Sequence, residues 1–179
     1  MTISNDELLA RARRGEELHG LDLRGRDLQG FTFENLRLRD VDLRGARLVG
    51  VVARHLHASD CRFDDVDAGG VNLAHARLDG CTAIGASFRD ADLQGASFAG
   101  ADLRRADFRG ADLRRAWLAQ SDLRGANLDG AQLEDAEFEG AQWAEPQPTE
   151  ARIAAAWAQA EAALDDLEAA IAASRDDDE

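Results

Sequence analysis

The chain has 179 residues and a formal net charge of −14, and all 21 of its basic residues are Arg. So acidic a chain is poorly suited to bind nucleic acid or an anionic membrane directly. It has no apolar run of the roughly 18 residues that a membrane helix needs, its start lacks the apolar core of a secretory signal, and its two cysteines are too few for a disulfide scaffold. We therefore expect a cytoplasmic protein.

The first 20 residues predict a short helix that caps the domain after it. Ser4 and Glu7 fit a capping box, in which two side chains satisfy the free N–H groups of a helix's first turn. Gly15 fits a helix stop. Residues 16–20, EELHG, resemble a degenerate copy of the repeat that follows.

Residues 21–145 divide into 25 consecutive pentapeptides without an insertion. The third residue is Leu or Phe in 20 of them, and the fifth is Gly, Asn or Asp in 19, the types that best tolerate a positive φ. A period of five matches neither an α-helix nor a β-strand. Each pentapeptide instead has two inward positions with one outward residue between them, followed by a turn-tolerant residue. This pattern predicts a coil made of very short extended segments. Because one coil cannot bury a core, the coils must stack as an all-β solenoid.

The pattern of ADLQG, ADFRG, SDLRG and ANLDG resembles the pentapeptide repeat family. The resemblance implies a right-handed quadrilateral β-helix with four pentapeptides per coil, and hence about six coils for residues 21–145. Residues 20 apart then stack in columns. Arg26 departs from the apolar first position, and we expect its guanidinium to reach the open end of the first coil or a carboxylate, since burying it unpaired is costly.

Polar side chains within the repeat form no catalytic constellation. Asp recurs at the outward second position, where an Arg of the same coil can pair with it. His55 and His75 are 20 apart and should stack at one corner, with His57 close in sequence. We interpret them as an exposed ladder, because a metal site needs three or four convergent ligands. Cys61 and Cys81, also 20 apart, are expected to be reduced core thiols. We therefore predict no enzyme activity, no cofactor and no metal.

Beyond Trp143, Pro146 and Pro148 break the repeat, and residues 146–179 predict a long helix with an acidic tail. Apolar residues there follow a pattern that repeats about every seven residues and would form a narrow seam on the helix, a spacing typical of helix–helix pairing. Its members are Ile153, Trp157, Ala160, Leu164, Leu167 and Ile171. The seam predicts a homodimer through this helix, and the alternative is a helix that only caps the solenoid.

The negative charge is concentrated in the last third of the chain. Residues 21–120 carry 15 acids and 15 Arg, whereas residues 121–145 carry seven acids and one Arg, and residues 146–179 carry nine acids and two Arg. The last coil therefore predicts an acidic patch for a basic partner surface. Its members are Asp129, Glu134, Asp135, Glu137 and Glu139.

The resemblance also implies a function. The best-understood proteins of that family protect DNA gyrase or topoisomerase IV from inhibitors and are proposed to do so by imitating duplex DNA. By this resemblance the chain is a non-enzymatic interaction rod that mimics DNA. The mimicry is partial, because DNA carries about 18 charges over ~30 Å, whereas residues 21–145 carry a net −6.

A rival hypothesis is a scaffold or adaptor without a topoisomerase role, as for family members found beside secretion systems. Such a protein would bind its partner through the helix seam or through Trp117, which takes an outward position where Asp or Asn is usual. An exposed Trp is enriched at protein contacts. The alternative for Trp117 is packing under the C-terminal helix.

Overall fold

The structure is a computed structural model that describes residues 3–144, in which parallel β-bridges join residues 20 positions apart. One rung shows the pattern: Asp42 N donates to the Leu21 carbonyl at 3.0 Å, and Leu23 N donates to the Asp42 carbonyl at 2.8 Å. Four such bridges occur in every 20 residues. The chain therefore winds into coils of four short segments, and the coils stack as a parallel β-helix. The columns predicted from the repeat are confirmed.

The bridges form four columns, and each column defines one face of the β-helix. By their outward rungs, face 1 runs from Asp22 to Gln142, face 2 from Asp27 to Asn127, face 3 from Thr32 to Gln132, and face 4 from Arg37 to Glu137. Three strands lie on face 4 and pair in parallel in chain order, namely β1 (Leu18–His19), β2 (Arg37–Arg39) and β3 (His57–Ser59).

The corners between faces are tight turns, each closed by a backbone hydrogen bond. Ala46 N donates to the Leu43 carbonyl at 2.9 Å, with Gly45 between them at φ 65°. This turn position requires a positive φ, which Gly adopts without cost. Arg105 and Arg115 hold the same position at φ 60° and 58°. A residue with a Cβ loses about 1 kcal/mol or more in that conformation.

The inward first and third positions fill a continuous apolar core. Phe88, Phe98 and Phe108 are fully buried in alternate segments, on faces 2, 4 and 2. Phe88 and Phe108 stack with ring centroids 5.2 Å apart, and Phe98 meets both edge-on. Alanines at the neighbouring first positions, such as Ala96, leave room for these rings. Complete burial of each ring stabilises the fold by about 1.5–3 kcal/mol.

The single helix of residues 3–144, α1 (Asn5–Arg13), precedes the first coil. Ser4 caps it by accepting a hydrogen bond from Glu7 N at 3.1 Å. Leu8 turns inward and is 1% exposed. The helix therefore closes the apolar interior at this end of the β-helix.

Arg26 ties α1 to the first coil. Its guanidinium donates to the Asn5 side-chain oxygen at 2.9 Å and to the Ile3 carbonyl. Asn5 in turn donates to the Asp27 carbonyl at 3.1 Å. Arg26 thus reaches the end of the β-helix, one of the two predicted positions, and its partners are neutral oxygens rather than a carboxylate.

Three predictions fall on residues outside 3–144: the C-terminal helix over residues 146–179, its apolar seam, and the domain boundary after residue 145. Within the part of the chain that the structure describes, no helix has the length and apolar character needed to cross a membrane.

Candidate interaction surface

Six outward Asp residues at the second position of the repeat are each neutralised by an Arg two residues later. The Asp112 carboxylate accepts from Arg114 Nε at 2.8 Å, from Arg114 Nη2 at 2.6 Å and from the Arg114 backbone N–H at 3.2 Å. The bidentate hydrogen bonds of Arg114 hold the pKa of Asp112 below its usual range. We call this bidentate pairing of an Asp with the Arg two residues later an Asp–Arg clamp. The same clamp recurs at Asp22, Asp42, Asp102, Asp107 and Asp122. These carboxylates are therefore already paired and present little free negative charge.

The five acidic residues predicted as a patch all lie at or just after the last rungs, but they occupy three faces. Asp129 follows the last rung of face 2, Glu134 and Asp135 follow that of face 3, and Glu137 and Glu139 lie on face 4. The structure thus does not gather them on one surface. A flat partner can contact only part of the set.

The acids on faces 2 and 3 have cations beside them. Arg115 Nε lies 3.5 Å from Asp135 Oδ2, and the negative charge of Glu134 is among the effects that raise the pKa of Arg114, after the hydrogen bond with Asp112 and its charge. The negative charge of Asp129 adds to the effects that raise the pKa of Arg109, after the hydrogen bond from Arg109 to Asp107. Negative potential at these positions is therefore reduced.

Glu137 and Glu139 differ, because within residues 3–144 no ion pair reaches either of them and the adjacent rung carries no Arg. The coil next to them presents Trp117 and Gln120 in place of arginines: Leu118 N donates to the Glu137 carbonyl at 2.7 Å, and Gln120 N donates to that of Glu139 at 2.8 Å. Trp117 is 53% exposed and is the large apolar side chain most open to solvent in the described residues. Face 4 therefore combines an exposed aromatic ring with two unpaired carboxylates.

The other end of face 4 carries cations that the sequence reasoning missed. Arg37 and Arg39 lie on β2, and Arg77 follows two rungs later. In the range 3–144 none of the three forms an ion pair. The sequence does contain the signal: no Asp occurs at the second positions 37, 57, 77, 97, 117 and 137, so no clamp can form on this face.

Two of the four histidines lie on face 4, namely His19 on β1 and His57 on β3. His55 and His75 instead stack at a corner, with ring centroids 5.3 Å apart. Residues 3–144 contain no group of three or more His, Cys, Asp or Glu that could hold a metal ion. Cys61 and Cys81 are free and buried, and the hydrogen bond with Cys61, together with burial, raises the pKa of Cys81.

A parallel β-helix built from pentapeptides defines the class of protein as a solenoid. The family model for pentapeptide repeats matches in eight copies, over residues 17–52, 61–100, 71–110, 86–125 and 106–142. These ranges cover more than half of the chain. The chain belongs to the pentapeptide repeat family, whose solved members form a right-handed β-helix.

Solved structures of the family resemble the chain to different degrees. A pentapeptide repeat protein of the Arabidopsis thaliana thylakoid lumen is 28% identical, with a TM-score of 0.50 over 73% of this chain and 74% of that one. Trypsin-treated QnrB1, a plasmid-mediated fluoroquinolone resistance protein, is 17% identical, with a TM-score of 0.46 over 73% and 81%.

HetL, a protein involved in heterocyst differentiation regulation in the cyanobacterium Nostoc sp. strain PCC 7120, is 21% identical, with a TM-score of 0.30 over 81% of this chain and 99% of that one. A comparison with curated protein sequences finds no significant match.

Proposed function

We propose that the chain is a non-enzymatic interaction rod whose acidic C-terminal coil binds a basic surface on a DNA-handling protein, with DNA gyrase or topoisomerase IV as the first candidates. One observation carries the proposal: Glu137 and Glu139 lack ion-pair partners within the described residues and lie beside the exposed Trp117, whereas six earlier outward Asp residues are each clamped by an Arg. Free carboxylates on a rigid scaffold can replace phosphates on a surface that evolved to bind DNA.

The rod architecture supports this proposal. About six coils stacked at ~4.8 Å give a length of roughly 30 Å, slightly less than one helical turn of duplex DNA. Residues 21–120 are neutral overall, so the acidic end alone provides the mimicry. If residues 146–179 form a helix that pairs through the seam from Ile153 to Ile171, the acidic ends of two rods meet and their charge is doubled.

The experiment is a supercoiling assay with purified gyrase, an inhibitor and the full chain. We expect the wild-type chain to change supercoiling or inhibitor sensitivity, and Glu137→Arg with Glu139→Arg to abolish the effect. A matched control, Glu134→Arg, reverses a charge in the same coil on face 3 and should retain most of it. A wild-type chain that neither binds gyrase nor alters its activity would refute the topoisomerase role.

The adaptor function is the second candidate, and the exposure of Trp117 favours it. An adaptor of this kind would anchor Trp117 in an apolar pocket of its partner, because desolvated Trp residues dominate many interfaces. Charge reversal at Glu134, Glu137 and Glu139 separates the two candidates. It should abolish an effect on topoisomerase and leave a contact based on Trp117 intact.

A further inference from the structure

The first coils of the β-helix surround an apolar cavity of about 40 Å³. Every residue that lines it has an apolar side chain, from Leu8 of α1 at one end to Phe88 at the other. These side chains are buried, except that of Leu48 on face 2, which is half-buried. The cavity therefore lies within the core, and Leu48 is the part of its lining that solvent reaches.

A local change in the repeat explains the position of the cavity. Over one full coil, three of the four inward third positions carry Ala where Leu or Phe is usual, namely Ala53, Ala58 and Ala68. Larger first positions, such as Val51 and Leu56, restore part of the missing volume. The remainder stays empty, because the ladder hydrogen bonds hold the coils about 4.8 Å apart and the surrounding side chains collapse only partly into a cavity.

The lining of the cavity keeps water out. A buried water needs about two to four polar partners, and the side chains around the cavity offer none. Backbone groups beside it are paired within the ladders: Ala53 N donates to the Asn72 carbonyl at 2.8 Å, and Leu73 N donates to that of Asp92 at 2.8 Å. Apolar cavities of this kind are dry and accept apolar guests instead.

We propose that the cavity is a binding site for small apolar gas molecules, the class that includes xenon, dinitrogen and dioxygen, and that they enter past Leu48. The size of the cavity selects the guest. An engineered apolar cavity of about 150 Å³ binds benzene as well as xenon. The volume here, about 40 Å³, is room for roughly three atoms the size of a water molecule. The cavity therefore admits a guest of very few heavy atoms and excludes a benzene ring.

The cover over the cavity is thinnest at Leu48. Leu48 stacks on Ala68 of the next coil, which Gly69 follows. That coil therefore covers Leu48 with a methyl group and a glycine. The backbone ladder is intact at this point, since Gly50 N donates to the Gly69 carbonyl at 3.1 Å. A rotation of the Leu48 side chain, a fast motion for a partly exposed residue, opens a path into the cavity without breaking a ladder hydrogen bond.

The test uses xenon gas and the full chain with isotope-labelled Leu and Val methyl groups. The methyl resonances of lining residues, such as Leu56, Val66 and Leu73, should shift progressively with xenon pressure in nuclear magnetic resonance spectra. Those of Leu113, which is buried and does not line the cavity, should not. Benzene should shift neither set, because the cavity is too small for it.

Two matched variants test the position of the site. Ala53→Val adds two carbon atoms to the lining, and Ala83→Val adds the same two at a buried third position that does not line the cavity. Ala53→Val should weaken the xenon shifts by about fivefold or more and raise the melting temperature, because it fills empty volume. Ala83→Val should keep the xenon shifts and lower the melting temperature, because it overpacks the core. Circular dichroism checks that each variant is folded.

Leu48→Phe tests the entrance. A larger side chain at this half-buried position should slow the exchange of xenon between solvent and cavity, so that the shifted methyl resonances broaden. Exchange as fast as in the wild type would place the entrance elsewhere.

Either of two results would overturn the binding site itself. One is a folded wild-type chain whose lining methyl groups do not respond to xenon, and the other is an equal response from wild type and Ala53→Val. The site is independent of the proposed function, since it lies toward the end of the β-helix opposite Glu137 and Glu139. A chain that takes up xenon and has no effect on gyrase would therefore retain this site and refute only the topoisomerase role.

Discussion

Trp117 and Glu137 are successive rungs of one parallel ladder on face 4. Leu118 N donates to the Glu137 carbonyl at 2.7 Å, and Glu137 N donates to the Ala116 carbonyl at 2.9 Å. Their side chains therefore project from the same face, about 4.8 Å apart along the rod. An exposed aromatic ring beside an unpaired carboxylate is a combination that binding surfaces use, with the ring providing affinity and the charge providing orientation.

Trp117→Ala should separate stability from binding. Trp117 is 53% exposed, so its removal should change the free energy of unfolding by less than about 1 kcal/mol. We expect weaker binding of any partner protein that contacts face 4 near the ring. Chemical denaturation measures the stability, and a pull-down or anisotropy titration with that partner measures the binding. A loss of more than about 3 kcal/mol in stability would indicate instead that the ring is part of the packed structure.

The protein should be less stable in acid, because its Asp–Arg clamps are lost when the Asp carboxylates are protonated. The hydrogen bonds from Arg114 lower the pKa of Asp112 in the folded chain, whereas the unfolded chain has the ordinary value near 4. The folded state then binds fewer protons, so the clamp stabilises it above about pH 4 and is lost as the pH falls through the lowered pKa.

The variant Asp112→Asn should therefore lose about 1 kcal/mol at pH 7 and show a shallower decline of stability below pH 4 than wild type. Denaturant unfolding at a series of pH values measures both effects. Asp135→Asn is the control, because its 3.5 Å contact with Arg115 is highly exposed. Equal pH profiles for Asp112→Asn and wild type would rule out a contribution from this clamp.

Two corner glycines allow a matched test of crowding between coils. Gly100 and Gly110 have φ of 64° and 69°, so Ala at either position adopts a strained backbone conformation that costs about 1 kcal/mol. A Cβ at Gly110 would also lie 2.4 Å from the Asp90 carboxylate, while a Cβ at Gly100 would meet nothing within 4 Å. Gly110→Ala should lower the melting temperature more than Gly100→Ala does. Identical melting temperatures would mean that Asp90 moves aside freely.

The repeat made most of the fold predictable, since an uninterrupted register of five places every inward residue and every column. Which acidic residues form ion pairs was harder to predict from the sequence. The register already divides the five acids among three faces, but the compensation of Asp135 by Arg115 depends on how the side chains of stacked coils meet. Arg105 and Arg115 also break the rule for turn-tolerant residues, because the hydrogen bonds of the stacked coils hold the corner in place whichever residue occupies it.

The central claim is that the acidic end of the rod occupies a surface that otherwise binds DNA. The most direct measurement is competition between the full chain and a fluorescent DNA duplex for purified gyrase, monitored by anisotropy. The account predicts that the chain displaces the duplex, that added salt weakens the displacement, and that Glu137→Gln with Glu139→Gln weakens it at least tenfold, whereas Glu134→Gln does not. If gyrase retained all of the duplex at a hundredfold excess of chain, the claim would be contradicted. That ratio corresponds to a difference of about 3 kcal/mol in binding free energy between duplex and chain.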